Sequence, residues 1–515
     1  APTRHGKSEA TGLGRFANGQ PPVLAAVRDG TWNHAPRNFR CRARASRLAA
    51  NQAFLPFDIT PTGWVSHLGR RSIAPAGGRG ELSIDCQMRV VHGTRIAVCK
   101  KNWMRSSWLC GMALVAVTLQ AQVAPEKTGQ VERLPSPPQP HWVFATDLVL
   151  ERTSVVDVER GLFLGSVPGG YGTFQPLFSR RRPEIYVPAT YYSRRTRGER
   201  TDVLEIYDTQ TLGFVAEIPI PPKRALNRIA LNHVALSDDE RFVAVFNWTT
   251  GTSLSIVDVE RRRFVAEIDT PGCSLAYAAG PRRFFSLCPD GAAFVLELDD
   301  DGNERRRTRT EPFFDPRKDP VTEKAVRAGS VWYFVSFEGV VHPVDVSGPE
   351  LRFLSTWQLT DEADRRASWR TGGNQHLAAH ERLGRMYVLM HQGEKDTHKE
   401  PGSEVWVYDL ASAKRLQRIP LRFPGATIYG FAIEPDASWR WPLPWIWQRV
   451  LDRWIPPLVT AIAVTQDSAP LLVTACEYAG ALGIYDARTG EFLRRVQPIG
   501  WTTDLLFAPY LGEGS

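Results

Sequence analysis

The segment LEIYDTQTLGFVAEI, Leu204 to Ile218, returns fifty positions later as LSIVDVERRRFVAEI, Leu254 to Ile268. In both copies an alternating apolar run ends at an Asp, a short turn follows, and apolar residues stand six and ten positions beyond that Asp. Asp157 with Phe163 and Val167 has the same spacing, as does Asp486 with Phe492 and Val496; Asp409 keeps Ile419 but carries Arg415 at the sixth position. Asp345 belongs to a looser copy, HPVDVSGPELRFL, and AAFVLELDDDGNE around Leu298 is a degenerate one, which makes seven. Self-similarity at such a period marks a fold assembled from small, similar units.

Period-two alternation gives each strand an apolar face, and a carboxylate at the strand end can accept the N–H groups of the turn that follows. One four-stranded sheet of this kind cannot bury its faces alone, whereas radial stacking buries them and leaves few exposed edges. The expectation is an all-β fold, a seven-bladed β-propeller over residues 142–515, with blades of about 53 residues. The repeated Asp residues are then turn formers rather than catalysts.

Upstream of the repeat the texture changes. Residues 125–141 (PEKTGQVERLPSPPQPH) hold five prolines and read as an extended, mobile linker. Before it, Trp108 to Ala124 (WLCGMALVAVTLQAQVA) is uncharged and follows Lys100, Lys101 and Arg105. A basic start, a short apolar core and small residues at its end predict a secretory signal peptide over residues 101–124, cleaved after Ala121 or Ala124. Met88 or Met104 would be its start, and an uncleaved membrane anchor is the alternative. Residues 1–100 show no useful periodicity and carry the Arg-rich run Arg37 to Arg47, so they read as a non-native or disordered extension; a transit peptide or nucleic-acid arm is the other reading.

Charge follows the same division. The chain of 515 residues has a formal charge of +8, but residues 1–124 hold 17 Lys and Arg against 5 Asp and Glu, leaving 46 against 50 for the rest. The basic excess belongs to the leader, and a mildly acidic propeller excludes nucleic acid as its partner. Of the seven cysteines, Cys41, Cys86, Cys99 and Cys110 precede the linker. Cys273 and Cys288 flank a hairpin-like stretch, SLAYAAGPRRFFSL, and either pair in an oxidising compartment or remain two buried thiols. Cys476 reads as a core thiol.

No P-loop, dinucleotide fingerprint, nucleophile elbow or zinc-protease motif occurs. His376 and His380, with His391 and His398 nearby, form the one histidine cluster, but a strand separates residues four apart by about 13 Å, too far for a shared metal. Trp439 to Pro457 (WRWPLPWIWQRVLDRWIPP) holds five of sixteen tryptophans. Trp447, Val450, Leu451 and Trp454 fall on one face of a short helix there, suited to packing on the propeller, to a partner protein or to a membrane interface.

Five stretches together carry a family resemblance: GLFLGSVPGGYGTFQPLFS, YYSRRTRGERTDVLEIYD, CSLAYAAGPRRFFSLCPDG, SWRTGGNQHLAAHERLGRMYVLMHQ and IYDARTGEFLRRV. They resemble the heavy subunit of methylamine dehydrogenase and its aromatic amine dehydrogenase relatives, over most of residues 142–496. The resemblance implies a periplasmic seven-bladed propeller with no catalytic residue, metal or cofactor of its own. Tryptophan tryptophylquinone would reside on a separate small subunit, in an assembly of two large and two small chains. A primary amine would be oxidised to aldehyde and ammonia, with electrons leaving to a cupredoxin or cytochrome c. It also implies that Tyr171, in GGYGTF, stands where the family has a phenylalanine of the substrate-channel wall, with Phe174 beside it. Tyr adds a hydroxyl there, which would change which amines enter. The Trp-rich segment and the tail PIGWTTDLLFAPYLGEGS depart from the family pattern. The competing reading is a free-standing exported propeller that binds a protein or ligand and has no redox role.

Overall fold

The computed structural model describes residues 86–91, 94–99 and 133–509, the last with breaks at 137, 173–174, 227–230, 249, 425–426, 429–430, 433–455 and 498. The chain divides into two compact units, residues 1–120 and 121–515. In the first, Cys86–Val91 and Thr94–Cys99 pair antiparallel. This hairpin falls where no regular element was expected. The signal segment lies outside the described residues, and no described helix is long and apolar enough to cross a membrane.

The second unit contains seven antiparallel sheets of four or five strands, the blades of a propeller. Blade one runs outward from Leu505–Phe507 through Trp142–Asp147 and Arg152–Asp157 to Leu162–Pro168. Its innermost strand thus comes from the C-terminal end of the repeat, and this closes the ring. Blade two is Leu177–Phe178, Glu184–Tyr192, Arg200–Asp208 and Phe214–Ile220; blade three runs from Val234–Leu236 to Arg263–Asp269 and blade four from Ser274–Ala278 to Glu304–Arg309. Blade five begins at Val326–Ala328 and splits its outer edge between Arg352–Phe353 and Trp357–Gln358. Blade six ends at Lys414–Pro420, and blade seven spans Ala461–Val464 to Phe492–Val496.

The repeated Asp residues cap their turns. One carboxylate oxygen accepts the main-chain N–H three residues on, from Asp157 (2.8 Å), Asp208 (2.8 Å), Asp258 (2.9 Å), Asp409 (2.7 Å) and Asp486 (2.8 Å). Asp345 reaches Ser347 N–H at 2.9 Å. In the degenerate copy Leu298 stands at the strand end, and Asp299 takes over the capping, accepting from Asp301 and Asn303 at 2.9 Å.

The two apolar positions after each Asp have different fates. Val167, Ile218, Ile268, Ile419 and Val496, at the tenth position, are buried, while Phe163 and Phe214, at the sixth, are 49% and 57% exposed. A register shift in the outermost strand pair lies between them, at Val155/Val156, Ile206/Tyr207, Ile256/Val257, Val407/Tyr408 and Ile484/Tyr485. One extra residue on the outer strand turns the sixth and tenth side chains to opposite faces of the sheet.

Apolar clusters fill the spaces between neighbouring blades. Tyr186, Leu204, Ile206 and Ile218 of blade two pack on Val234, Val243, Val245 and Val257 of blade three. Each such side chain, fully buried, contributes about 1.5–3 kcal/mol. Gln375 joins three blades near the axis. Its side chain donates to Leu506 O (2.7 Å) and accepts from Leu506 N–H (2.8 Å), and its main chain bonds Thr460 O (3.0 Å) and Ile462 N–H (3.1 Å). It also lines an axial cavity of about 330 Å³ with Leu177, Val326, Ala378, Ile462 and Leu506.

Cys273 and Cys288 form a disulfide, and Cys476 is free and buried, its thiol pushed up to about 12 by burial. The end of the Pro-rich stretch is packed rather than free: Leu134 N–H donates to Gln210 O at 2.8 Å and its side chain lies against the cluster between blades one and two.

Candidate functional site

The site begins with the loop between blades one and two, on the face where the innermost strands start. Gly170 has φ +67°, and a Cβ there would lie 3.0 Å from Ala189 Cβ and from Thr190 N and O. Gly172 has φ +86°, and its Cβ would meet Leu226 Cδ2 at 3.0 Å. The two glycines let the loop lie directly on blade two, and this sets Tyr171 over the end of Glu184–Tyr192. Tyr171 N–H donates to Thr190 O at 2.8 Å.

Arg224 holds the loop from the other side. It is buried, donating through Nη2 to Tyr171 O (3.1 Å) and through Nε to Thr190 Oγ1 (3.0 Å), and its main-chain N–H donates to Asp202 Oδ2 (2.8 Å). Asp202, also buried, accepts from Thr190 Oγ1 (2.8 Å) and from Arg200 Nε and Nη2 (2.9 and 2.7 Å). Burial brings the Arg224 guanidinium down to about 10, with Asp202 opposing, so it stays charged at neutral pH. Removing one partner of such a network leaves a buried charge uncompensated. The Arg200 and Asp202 of the RGERTD stretch therefore anchor the loop that carries Tyr171.

Tyr171 is half-buried, and its ring meets Tyr192 edge to face, with centroids 5.4 Å apart and planes at 89°. Phe174 lies outside the described residues. Sequence reasoning missed Arg224 and Tyr192. Tyr192 lay within a family stretch but carried no spacing signal, and Arg224 reaches the site only because its loop crosses over Thr190. His233 is also near, buried with neither ring nitrogen hydrogen-bonded among the described residues; burial, and then the Arg224 charge, bring it down to about 4.

The histidine cluster does not converge. His376 Nε2 lies 3.2 Å from Thr322 Oγ1, His380 Nε2 is 2.9 Å from Asp467 O, His391 Nε2 is 2.9 Å from Thr397 Oγ1, and His398 stacks on Phe337. Among the described residues no group of three or more His, Cys, Asp or Glu could hold a metal ion. The Trp-rich stretch and its expected helix lie outside the described residues, apart from Pro456 and Pro457. Trp369 and Trp406, with centroids 5.3 Å apart, sit in blade six beneath Arg418.

Fold and site together define a seven-bladed propeller subunit that presents an anchored aromatic loop over blade two. The chain belongs to the methylamine dehydrogenase heavy chain family, whose family model matches residues 143–438. It is thus the large subunit of an amine dehydrogenase, an oxidoreductase component. It is 27% identical over 325 residues to the methylamine dehydrogenase heavy chain of Methylophilus methylotrophus, covering 63% of this chain and 71% of that one. To the heavy chain of Methylobacillus flagellatus (strain ATCC 51484 / DSM 6875 / VKM B-1610 / KT) it is 31% identical over 252 residues, 48% of this chain and 62% of the relative. Among solved structures, dihydro-heme d1 dehydrogenase NirN in complex with DHE aligns over 71% of this chain and 66% of that chain, at 16% identity and a TM-score of 0.41.

Proposed function

We propose that this chain is the large subunit of a periplasmic quinoprotein amine dehydrogenase that oxidises a primary amine to aldehyde and ammonia. The observation that carries the reading is the family match over residues 143–438, which runs from the Trp142–Asp147 strand of blade one through blade six and includes the anchored loop of Gly170, Tyr171 and Gly172. Tryptophan tryptophylquinone, carried on a separate small subunit, would supply the electron-accepting chemistry. This chain's own contribution is to support that subunit and to hold Tyr171 as part of the wall past which the amine moves. The bonds from Arg224 and Thr190 fix the wall's main chain, and the Tyr171 hydroxyl makes it more polar than a phenylalanine would. Two large and two small chains form the assembly, and a cupredoxin or cytochrome c takes the electrons.

The test is to purify the native complex and look for a small cysteine-rich chain, a quinone absorption band and amine-dependent dye reduction. A monomeric propeller with none of these would overturn the reading. Tyr171→Phe should shift the relative KM of small and bulky amines, and an identical amine profile would remove Tyr171 from the wall.

A further inference from the structure

The main chain of Tyr171 is held on both sides, by Thr190 O at 2.8 Å and by Arg224 Nη2 at 3.1 Å. Its ring has a single aromatic neighbour among the described residues, Tyr192, at 5.4 Å and 89°. The two rings stand on unlike supports. Tyr192 ends a nine-residue strand paired along its whole length with Arg200–Asp208, and its own partner in the register is Arg200. Arg200 is in turn clamped on Asp202 at 2.7 Å. Tyr171, by contrast, rides on a loop of glycines. The neighbouring Tyr191 points the other way, as alternation along a strand requires, and donates to Glu205 Oε1 at 2.6 Å. That leaves Tyr192 as the group that faces the loop.

We infer that Tyr192 is a positioning residue for substrate selection: its ring seats the Tyr171 ring and so sets the width of the amine passage. The inference rests on the reading of Tyr171 as a wall of that passage. An edge-to-face pair shifts the population of the seated ring by about two- to tenfold. Both rings are half-buried, and among the described residues neither hydroxyl has a hydrogen-bond partner, so the ring contact, not a hydroxyl bond, does the seating.

The experiment uses the assembled large and small chains with Tyr192→Phe, Tyr192→Ala and Tyr192→Leu. Tyr192→Leu keeps apolar volume without an aromatic edge and serves if the alanine variant folds poorly. For each, kcat and KM are measured with methylamine and with benzylamine, and tetranitromethane nitration of Tyr171 is followed by peptide mass mapping. Tyr192→Ala and Tyr192→Leu should change the benzylamine-to-methylamine ratio of kcat/KM by about two- to tenfold, through KM, and should speed nitration of Tyr171. Tyr192→Phe should match the wild type in both readouts. An unchanged ratio with unchanged nitration in the alanine and leucine variants, or a phenylalanine variant that behaves like them, overturns the inference. If no variant, nor the wild type, reduces dye with any amine, the functional reading falls; nitration then decides by itself whether Tyr192 seats Tyr171.

Discussion

Replacing Asp504 by Asn should stabilise the propeller at neutral pH and leave it nearly unchanged in mild acid. Asp504 directly precedes Leu505–Phe507, the strand that closes the ring. The Thr502 hydroxyl lies 3.0 Å from Asp147 Oδ1 and 2.8 Å from Asp504 Oδ2, and a hydroxyl has one proton to give to two carboxylates. Asp147 also accepts from Val149, Leu150, Trp501 and Thr502 N–H at 2.9, 2.9, 2.6 and 3.1 Å. Asp504 has Leu148 N–H at 2.9 Å. Burial first, and then the charges of Asp147 and Glu477, push the Asp504 carboxyl up to about 6 from its ordinary 3.8. A carboxyl raised on folding binds its proton more tightly in the folded state. Its contribution is therefore most favourable below the ordinary value and is lost as pH rises from 3.8 to about 6. The loss amounts to about 3 kcal/mol.

Asn keeps an oxygen to accept from Leu148 and Thr502 without the charge. Urea unfolding of both proteins between about pH 4 and pH 8 reads the effect as a difference, in which the titrating groups not coupled to Asp504 cancel. That difference should be about 0.5 kcal/mol at about pH 4 and level off near 3 kcal/mol above pH 7. Parallel curves, or a variant that grows weaker as pH rises, would refute the account of two carboxylates competing for one proton.

Three further outcomes follow from single contacts. The Cys273–Cys288 disulfide closes a loop of 15 residues, so its reduction, or the double change to Ser, should cost about 3 kcal/mol, read as a lower urea midpoint with dithiothreitol. Gly170→Ala adds a Cβ 3.0 Å from the Thr190 main chain at a φ of +67°, and should cost about 1–3 kcal/mol by thermal melting. Burial and the Arg224 charge lower His233 from 6.5 to about 4, the opposite sense to Asp504. Its contribution is present above 6.5 and lost as pH falls toward 4, and His233→Leu should flatten that acid limb relative to the wild type.

The sequence by itself determined the architecture, because the signals involved are local. An alternating run, an Asp and a turn lie within fifteen consecutive residues, and repetition of that unit requires a stacked ring whatever the details of packing. The local signal weakened where the residue doing the work moved by one place, as at Leu298 and Asp299. It misled where a bulge turned Phe214 away from the face of Ile218, since the spacing alone treats the sixth and tenth positions alike. The aromatic loop was legible as GGYGTF, but its anchoring was not. Thr190, Asp202 and Arg224 come from a strand end, a strand start and a loop, up to 34 positions apart, and no periodicity links them. Tyr171 and Tyr192 meet across 21 positions for the same reason. Ring closure is likewise a tertiary fact: Leu505–Phe507 pairs with Trp142–Asp147, strands from opposite ends of the unit that meet only once the blades between them have stacked.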